Sequence, residues 1–233
     1  MSASAQTPRR SSRRSSLLNA VAATVFLIGG FLFAIGAALA QARVSTTACA
    51  SVYLAGGAFF STGGYSSVLQ VVNEPDGSDA EPARWRWWSR EPGRLQWLSA
   101  VVLFAGTLVF AINLVDSFIA ELSPTAEDRL VWSPDMVGCA LFLISGHLAL
   151  VEIGGGRRFW RHRDLGWWIV GVNQIGSVLF MVSAVASFVE PASAEAVNVG
   201  IANWGTLTGA LCFAAAGLMQ EFEHPLGPRR RRA

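Results

Sequence analysis

Four polar side chains interrupt long apolar stretches of the sequence: Asn113, His147, Asn173 and Asn203. Polar groups are expensive to bury in a bilayer, so such residues mark either hydrogen bonds between helices or a path for a solute or a proton. A path would use His147 together with the three amides. We expect hydrogen bonds between helices, and the polar path stays open as the alternative.

The residues for other kinds of site chemistry are missing or misplaced. A metal or haem site needs several ligands, and His147 is the one histidine within an apolar stretch. Ser145 precedes His147 on the same helix, whereas an intramembrane serine protease requires its histidine on a later helix. The sequence has no Cys-x-x-Cys pair and no phosphate-binding glycine loop. It therefore predicts no catalytic residue, no cofactor, no metal and no enzyme activity.

The composition predicts the elements that hold these residues. Apolar residues make up 52% of the 233 positions and charged residues 15%, which is too apolar for an ordinary soluble domain. A helix needs about 20 apolar residues to cross a bilayer, whose interior satisfies no backbone hydrogen bond. We therefore predict an all-α integral membrane bundle of six transmembrane helices. The predicted spans are residues 17–40, 48–72, 95–119, 136–153, 166–189 and 197–219.

The 18 basic residues are all arginine, and 16 of them lie in the two terminal tails and in the connections after the second and fourth spans. Under the positive-inside rule these connections and both termini lie in the cytoplasm, which predicts a multi-pass protein of a bacterial inner membrane. The opposite loops carry Arg43 and Arg129 beside several carboxylates. The predicted segments are a basic tail (1–16), a first hairpin (17–72), a linker (73–94), a second hairpin (95–153), a basic loop (154–165), a third hairpin (166–219) and a basic tail (220–233).

The linker contains "RWRWWSREPGR", residues 84–94, after the polar stretch "NEPDGSDAEPA", residues 73–83. Arginine with interleaved tryptophan can bind nucleic acid, but at an inner membrane boundary the same pattern suits anionic lipid headgroups. We expect the arginine clusters to contact the lipid bilayer and its anionic headgroups, and we expect no nucleic-acid partner. Residues 73–83 are predicted to be flexible.

The first helix has a competing interpretation. "SRRSSLL" resembles a twin-arginine export signal, and "ALAQA", residues 38–42, resembles a cleavage site. The apolar run between them is longer than the usual core of a signal peptide. We expect the helix to be retained, with cleavage as the alternative.

The three cysteines, Cys49, Cys139 and Cys212, are isolated in the sequence. We expect them to be small apolar packing residues. Cys49 and Cys139 both fall near the outer side, so a disulfide between them is the alternative.

The pattern G-x-x-x-F-x-x-x-G occurs once in every even-numbered span, and G-x-x-x-F occurs in every odd-numbered one. Residues four apart share a helix face, where glycine admits a neighbouring backbone and phenylalanine fills the gap beside it. We therefore predict three parallel hairpin repeats about a pseudo-threefold axis, with homo-oligomers joined through the same glycine faces. The predicted packing residues are Gly56, Phe60, Gly64, Gly138, Phe142, Gly146, Gly209, Phe213 and Gly217.

Four segments between residues 95 and 219 carry a resemblance to a known family. They are "LQWLSAVVLFAGTLVF", "VWSPDMVGCALFLISG", "LGWWIVGVNQIGSVLFMVSAVASF" and "ANWGTLTGALCF". They resemble the YrhK-like membrane domain of uncharacterised multi-pass bacterial proteins. The resemblance implies a helical hairpin in the inner membrane and supplies no catalytic residue. We expect a non-enzymatic structural or regulatory membrane component, with a small-solute or proton-coupled permease as the alternative.

Overall fold

The computed structural model describes residues 7–74, 85–119, 121–154 and 164–223, with the side chains of the first helix from residue 14 onward. Most of the stretch predicted to be flexible, most of the basic loop 154–165 and the tail beyond residue 223 lie outside these residues. The described chain is helical apart from its connections and one pair of two-residue strands. The helices are α1 (Thr7–Gln41), α2 (Thr46–Val72), α3 (Leu95–Asp116), the short α4 (Pro124–Glu127), α5 (Ser133–Gly154), α6 (Leu165–Ala186) and α7 (Val199–Glu221).

Side-chain caps set the starts of three long helices. Ser45, Asp164 and Asn198 precede α2, α6 and α7, and each accepts a backbone N–H of the first turn at 2.9 to 3.2 Å. Residues of these types favour the N-cap because their oxygen satisfies a backbone donor that the helix leaves unpaired. The local sequence therefore explains where these helices begin.

The second hairpin departs from the predicted bounds. The helix α3 ends at Asp116, before the predicted residue 119, and the chain is helical again from Pro124, well before the predicted residue 136. Ser123 caps this helix and proline occupies its first turn, where its missing N–H does no harm. A π-helical segment, Asp128–Trp132, continues into α5. The charged residues 127–129 suggested a loop, but they occupy the end of a helix. We label the end of the bundle that holds the connections after α1, α3 and α6 the outer end and the opposite end the inner end, after the sides that the arginine pattern predicts.

The six long helices form a closed ring. Each packs against its neighbours in the order α1, α2, α3, α5, α6 and α7, and α7 packs back against α1. Three of these contacts join the helices of one hairpin, namely α1 with α2, α3 with α5, and α6 with α7. The other three join one hairpin to the next, so the interior of the ring is lined by all three hairpins.

By length and composition, five described helices could cross a membrane, and α2 is not among them. The four glycines and four serines of α2 lower its hydropathy, although its length of 27 residues is sufficient. Small residues suit α2 because twelve of its 27 residues are buried. The chain therefore folds as a helical bundle of membrane-protein type. The five helical segments are Arg14–Gln41, Leu95–Asp116, Pro124–Gly154, Leu165–Ala186 and Val199–Glu221.

The connection between α6 and α7 is tied to the second hairpin. It contains the antiparallel strands β1 (Val189–Glu190) and β2 (Glu195–Ala196). The backbone N–H of Val189 donates to Asp128 Oδ1 at 3.0 Å. In the same π-helical segment, Trp132 Nε1 donates to a backbone carbonyl of α6 at 2.7 Å. These bonds join the outer ends of two hairpins.

Candidate functional site

Phenylalanine rings, one from each long helix, meet inside the ring of helices. Phe33, Phe110 and Phe180 come from the first helix of each hairpin. Their ring centroids are 5.7 to 6.3 Å apart. These three rings form one triangle across the interior.

The second helix of each hairpin contributes another ring. Phe213 lies 5.4 Å from Phe60 and 6.1 Å from Phe142. Each of these rings also lies 5.2 to 5.9 Å from the phenylalanine of its own hairpin's first helix. Edge-to-face contacts are the commonest among these pairs, and such contacts are favoured by the charge distribution of aromatic rings. The two layers make an aromatic core, which we define as Phe33, Phe60, Phe110, Phe142, Phe180 and Phe213.

The aromatic core leaves almost no free space. The cavity between its rings, also lined by Gly57 and Thr107, has a volume of about 10 Å³. A cavity needs roughly 10–15 Å³ to hold a single water molecule. The core is therefore solid at this level and has no room for a solute.

Glycine and phenylalanine pair reciprocally within each hairpin. A Cβ added to Gly29 would lie 2.7 Å from the ring of Phe60, and one added to Gly56 would lie 2.9 Å from the ring of Phe33. The glycine of each helix thus makes room for the phenylalanine of its partner helix. The corresponding pairs are Gly106 with Phe142, Gly138 with Phe110, Gly176 with Phe213 and Gly209 with Phe180.

The last glycine of the nine-residue motif has a different neighbour. It faces the first helix of the next hairpin, so it lies at the contacts that close the ring. Two of these glycines meet backbone atoms and one meets a side chain. Measured from an added Cβ, the contacts are Gly64 with Cα of Phe104 (3.2 Å), Gly217 with N of Leu27 (2.8 Å) and Gly146 with the side chain of Gln174.

The polar residues of the second hairpin lie far apart along the bundle. His147 is exposed on the surface of α5 and has no hydrogen bond within the part of the chain that the structure describes. Asn113 is buried near the outer end of α3. The glycine contacts of this hairpin fix its register and place Asn113 level with Asp135, so His147 lies about 18 Å further along the axis at 1.5 Å per residue.

The polar residues of the third hairpin are separated in the same way. Asn203 Nδ2 donates to Gln41 Oε1 at 3.1 Å, which ties α7 to the outer end of α1. The carbonyl of Asn173 accepts from Ser177 Oγ at 3.0 Å within α6. By the register of this hairpin the two asparagines are about 20 Å apart along the axis. The four residues thus fall into two pairs along the axis: Asn113 and Asn203 lie toward one end of the bundle, and the contact of Gly146 with Gln174 places His147 and Asn173 at a similar depth on α5 and α6.

Serine and threonine make interhelical bonds that the sequence interpretation missed. Ser99 Oγ donates to the carbonyl of Ser145 at 2.9 Å, and Ser145 Oγ donates to the carbonyl of Ser99 at 2.9 Å. Ser183 Oγ donates to the carbonyl of Ala202 at 2.6 Å and contacts Thr206 Oγ1 at 2.7 Å. These residues occur so often in membrane helices that their presence alone gave no signal.

A further bond pair closes the inner end of the ring. Asn19 Nδ2 donates to the carbonyl of Gln220 at 3.2 Å, and Gln220 Nε2 donates to Asn19 Oδ1 at 3.0 Å. Asn19 is buried although it lies near the chain's amino terminus. These bonds join the first and last helices.

Asp135 is an acidic residue that the sequence interpretation assigned to an outer loop. In the structure it lies within the long helix of the second hairpin, and its Oδ1 accepts from Cys139 Sγ at 3.7 Å. Its spacing from Gly138 and Cys139 is the signal that could have placed it on the inward face.

The cysteines are free thiols, and Cys49 and Cys139 are buried, as small packing residues are. Within the described ranges, no three His, Cys, Asp or Glu side chains lie close enough to hold a metal ion.

The described part of the linker is folded against α2 and α3. Asn73 Nδ2 donates to the carbonyl of Arg86 at 2.7 Å, and the N–H of Arg86 donates to Asn73 Oδ1 at 2.9 Å. Trp97 Nε1 donates to the carbonyl of Ser89 at 3.0 Å. Residues 85–94, which we call the inner segment, are therefore held in a defined conformation.

Glu91 organises charge in the inner segment. Ser89 Oγ donates to it at 2.6 Å, and Arg94 Nη1 donates to its other oxygen at 2.6 Å. The hydrogen bond from Ser89, followed by the bond and charge of Arg94, lowers the pKa of Glu91 below its ordinary value of 4.5. Trp87 and Arg90 are exposed on the same segment.

These features define the class of the protein: a helical membrane-type bundle with a solid aromatic centre. A comparison of the chain with protein-family models, with curated proteins and with solved structures finds no match in any of the three. The resemblance to the YrhK-like membrane domain stays a prediction.

Proposed function

We propose that the protein is a non-enzymatic structural or regulatory component of the membrane, built from six transmembrane helices. The observation that carries this proposal is the aromatic core, whose central cavity of about 10 Å³ has no room for a solute at this level of the bundle. A permease needs a hydrated site that solute can reach. The six rings instead pack together and make the bundle rigid. A rigid bundle suits a protein that other membrane components contact.

The six-helix proposal requires α2 to cross the bilayer with the others. Its support is the position of α2 between α1 and α3, together with Phe60, which reaches the aromatic core. Twelve of the 27 residues of α2 are buried, so this helix presents less surface to lipid and tolerates the glycines and serines that lower its hydropathy. Reporter fusions after Glu74 and after Arg158 test this directly. Both are expected to report the cytoplasmic side, and a periplasmic result at either would contradict the topology.

We also propose that the three hairpins are internal repeats. Two contact patterns support this: the reciprocal glycine and phenylalanine pairs within each hairpin, and the last motif glycine facing the next hairpin. Three copies of a hairpin can close a ring only if each copy makes the same two contacts. One contact is between its own two helices, and the other is with the next hairpin. A YrhK-like hairpin is the family unit that we propose for these copies.

The arrangement that we propose places both termini in the cytoplasm of a bacterial inner membrane, with arginine clusters on anionic headgroups. The inner segment supports this, since Trp87 is 66% exposed beside the exposed Arg90. A homo-oligomer would use the outer surface of the ring, because the motif glycines already contact helices of the same chain.

Reconstitution into liposomes tests the proposed function against the permease alternative. Liposomes that hold the full-length protein are expected to show the same proton and small-solute flux as protein-free liposomes. A variant with Phe110→Ala and Phe142→Ala, which opens the core, serves as the positive control for a leak. Flux through the unaltered protein that His147→Ala abolishes would establish the permease instead.

A further inference from the structure

The three contacts that join one hairpin to the next are not alike. Leu27, Phe104 and Gln174 stand at the same place in their hairpins, two positions before the glycine of the G-x-x-x-F pattern. The backbones at Leu27 and Phe104 meet the last motif glycine of the preceding hairpin directly. At the third junction the side chain of Gln174 lies between the two helices.

Gln174 acts as a wedge between α5 and α6. Its amide occupies the space beside Gly146, and its Nε2 donates to the carbonyl of Leu143 at 3.4 Å. Its Oε1 is buried and has no hydrogen-bond partner among the described residues. A buried oxygen without a hydrogen bond lowers the free energy of unfolding, so the Gln174 amide costs the fold some stability.

A groove of about 270 Å³ opens between α5 and α6 beside the wedge. It is lined by Leu150 of α5 and by Trp167, Trp168, Gly171 and Ile175 of α6, among others. Gly171 forms part of its floor, because an added Cβ there would meet nothing closer than Trp167 at 3.8 Å. Gly171 therefore leaves room in the groove for a larger side chain at that position.

Water is a poor occupant for this groove. One water takes up roughly 30 Å³ of liquid and needs two to four polar partners, whereas the lining is apolar apart from Gln174. The groove also continues onto the apolar outer surface of the bundle, since Trp168 is 45% and Ile175 56% exposed. Val178 and Val182 extend that surface along α6. The outer surface of a helical membrane bundle faces lipid.

We propose that the groove between α5 and α6 is a binding site for one acyl chain of a membrane phospholipid. The site runs from the start of α6 to Gln174 near its middle, a length of about 14 Å at 1.5 Å per residue. Trp167 and Trp168 stand at the end where the chain enters from the headgroup layer, which is where tryptophan is enriched. The proposal rests on the proposed membrane placement, and it adds one specific lipid to the general bilayer contact.

Photo-crosslinking in vesicles tests the site. The full-length protein is reconstituted in phosphatidylethanolamine and phosphatidylglycerol, with a phosphatidylglycerol probe that carries a diazirine in one acyl chain. After irradiation, peptide mapping by mass spectrometry locates the adducts. Adducts are expected to concentrate on Leu150 and on residues 167–175, several-fold above those at Val182 on the open surface.

Two variants separate bound lipid from general bilayer contact. Gly171→Leu fills the groove without a backbone clash and is expected to lower the groove adducts several-fold while the adducts at Val182 stay unchanged. Val178→Leu adds volume outside the groove and is expected to change neither the groove adducts nor the adducts at Val182. Unfolding temperatures of both variants show that they are folded.

Four results would overturn the acyl-chain site. Adducts spread evenly along α6, or groove adducts that persist in folded Gly171→Leu, would show general bilayer contact only. Cross-links from groove residues to a second copy of the chain would show a protein interface. Adducts missing from both the groove and Val182 would contradict the membrane placement itself, so the failure of the two proposals can be told apart.

Discussion

The ring of Phe60 lies so close to Gly29 that an added Cβ would come within 2.7 Å of its Cδ2. The two residues belong to neighbouring helices of one hairpin, and Phe33 repeats the contact in reverse against Gly56. Glycine at these places is therefore required by the partner's ring. The consequences for stability can be measured at single positions.

Gly209→Ala is expected to destabilise the bundle. The new Cβ would meet Phe180 Cδ1 at 2.5 Å, and overpacking of a tight core typically costs about 1–3 kcal/mol. Thermal unfolding in detergent measures the loss. Gly171→Ala is the matched control, since its Cβ has open space, and equal unfolding temperatures for the two variants would contradict the packing role of Gly209.

The last glycines of two motifs should respond unequally to the same change. At Gly217 an added Cβ meets the backbone of Leu27 at 2.8 Å, and backbone cannot yield without moving α1. At Gly146 it meets the far end of Gln174, a side chain that can rotate away. We expect Gly217→Ala to lower the unfolding temperature more than Gly146→Ala. The reverse order would show that the hairpin junctions are not packed as described.

Ser99 and Ser145 should be coupled in energy. Because each hydroxyl donates to the other residue's carbonyl, a double-mutant cycle of Ser99→Ala and Ser145→Ala is expected to give about 0.6 kcal/mol, and at most roughly 1.7 kcal/mol. Chemical unfolding in mixed micelles provides the free energies. If the losses of unfolding free energy from the two substitutions simply add, the two hydrogen bonds are not coupled in energy.

The inner segment should loosen in acid. Since the pKa of Glu91 is lowered below 4.5, the ionised carboxylate stabilises the fold above that pH, and the contribution is lost as pH falls through the lowered value. Hydrogen exchange of residues 85–94, corrected for intrinsic rates, should therefore be constant near neutrality and rise in strong acid. Glu91→Gln should exchange faster at neutral pH and lack the acid step, and an acid step that persists in this variant would assign it to another group.

The sequence was sufficient for the six long helices of the described chain, because apolar length is a local signal. It could not show which helix each glycine faces. Gly56 and Gly64 lie in one motif on one helix, yet the first meets α1 and the second meets α3. That division depends on the closed ring, which arises only when all six helices pack together.

The candidate site was harder to predict for a related reason. His147 was predicted as a candidate site residue because it is a polar residue in an apolar stretch. Its exposure on α5 depends on the rotation of that helix about its own axis. Asp135 was assigned to a loop because the helix was predicted to begin at residue 136, whereas the chain is helical from Pro124. The direction of a side chain in a bundle is a tertiary property, so spacing along one helix leaves it undetermined.

Closure of the ring between the first and last helices is the central claim, and a cysteine pair tests it most directly. Asn19 and Gln220 are joined by hydrogen bonds of 3.0 and 3.2 Å, so Asn19→Cys with Gln220→Cys, with the native cysteines replaced by alanine, brings two thiols together. Mild oxidation in membranes should give an intramolecular disulfide between α1 and α7, located by peptide mapping, whereas Asn19→Cys with Ser145→Cys should give none. The account is contradicted if Asn19→Cys with Gln220→Cys gives no intramolecular link, or if the first helix is missing from the purified chain.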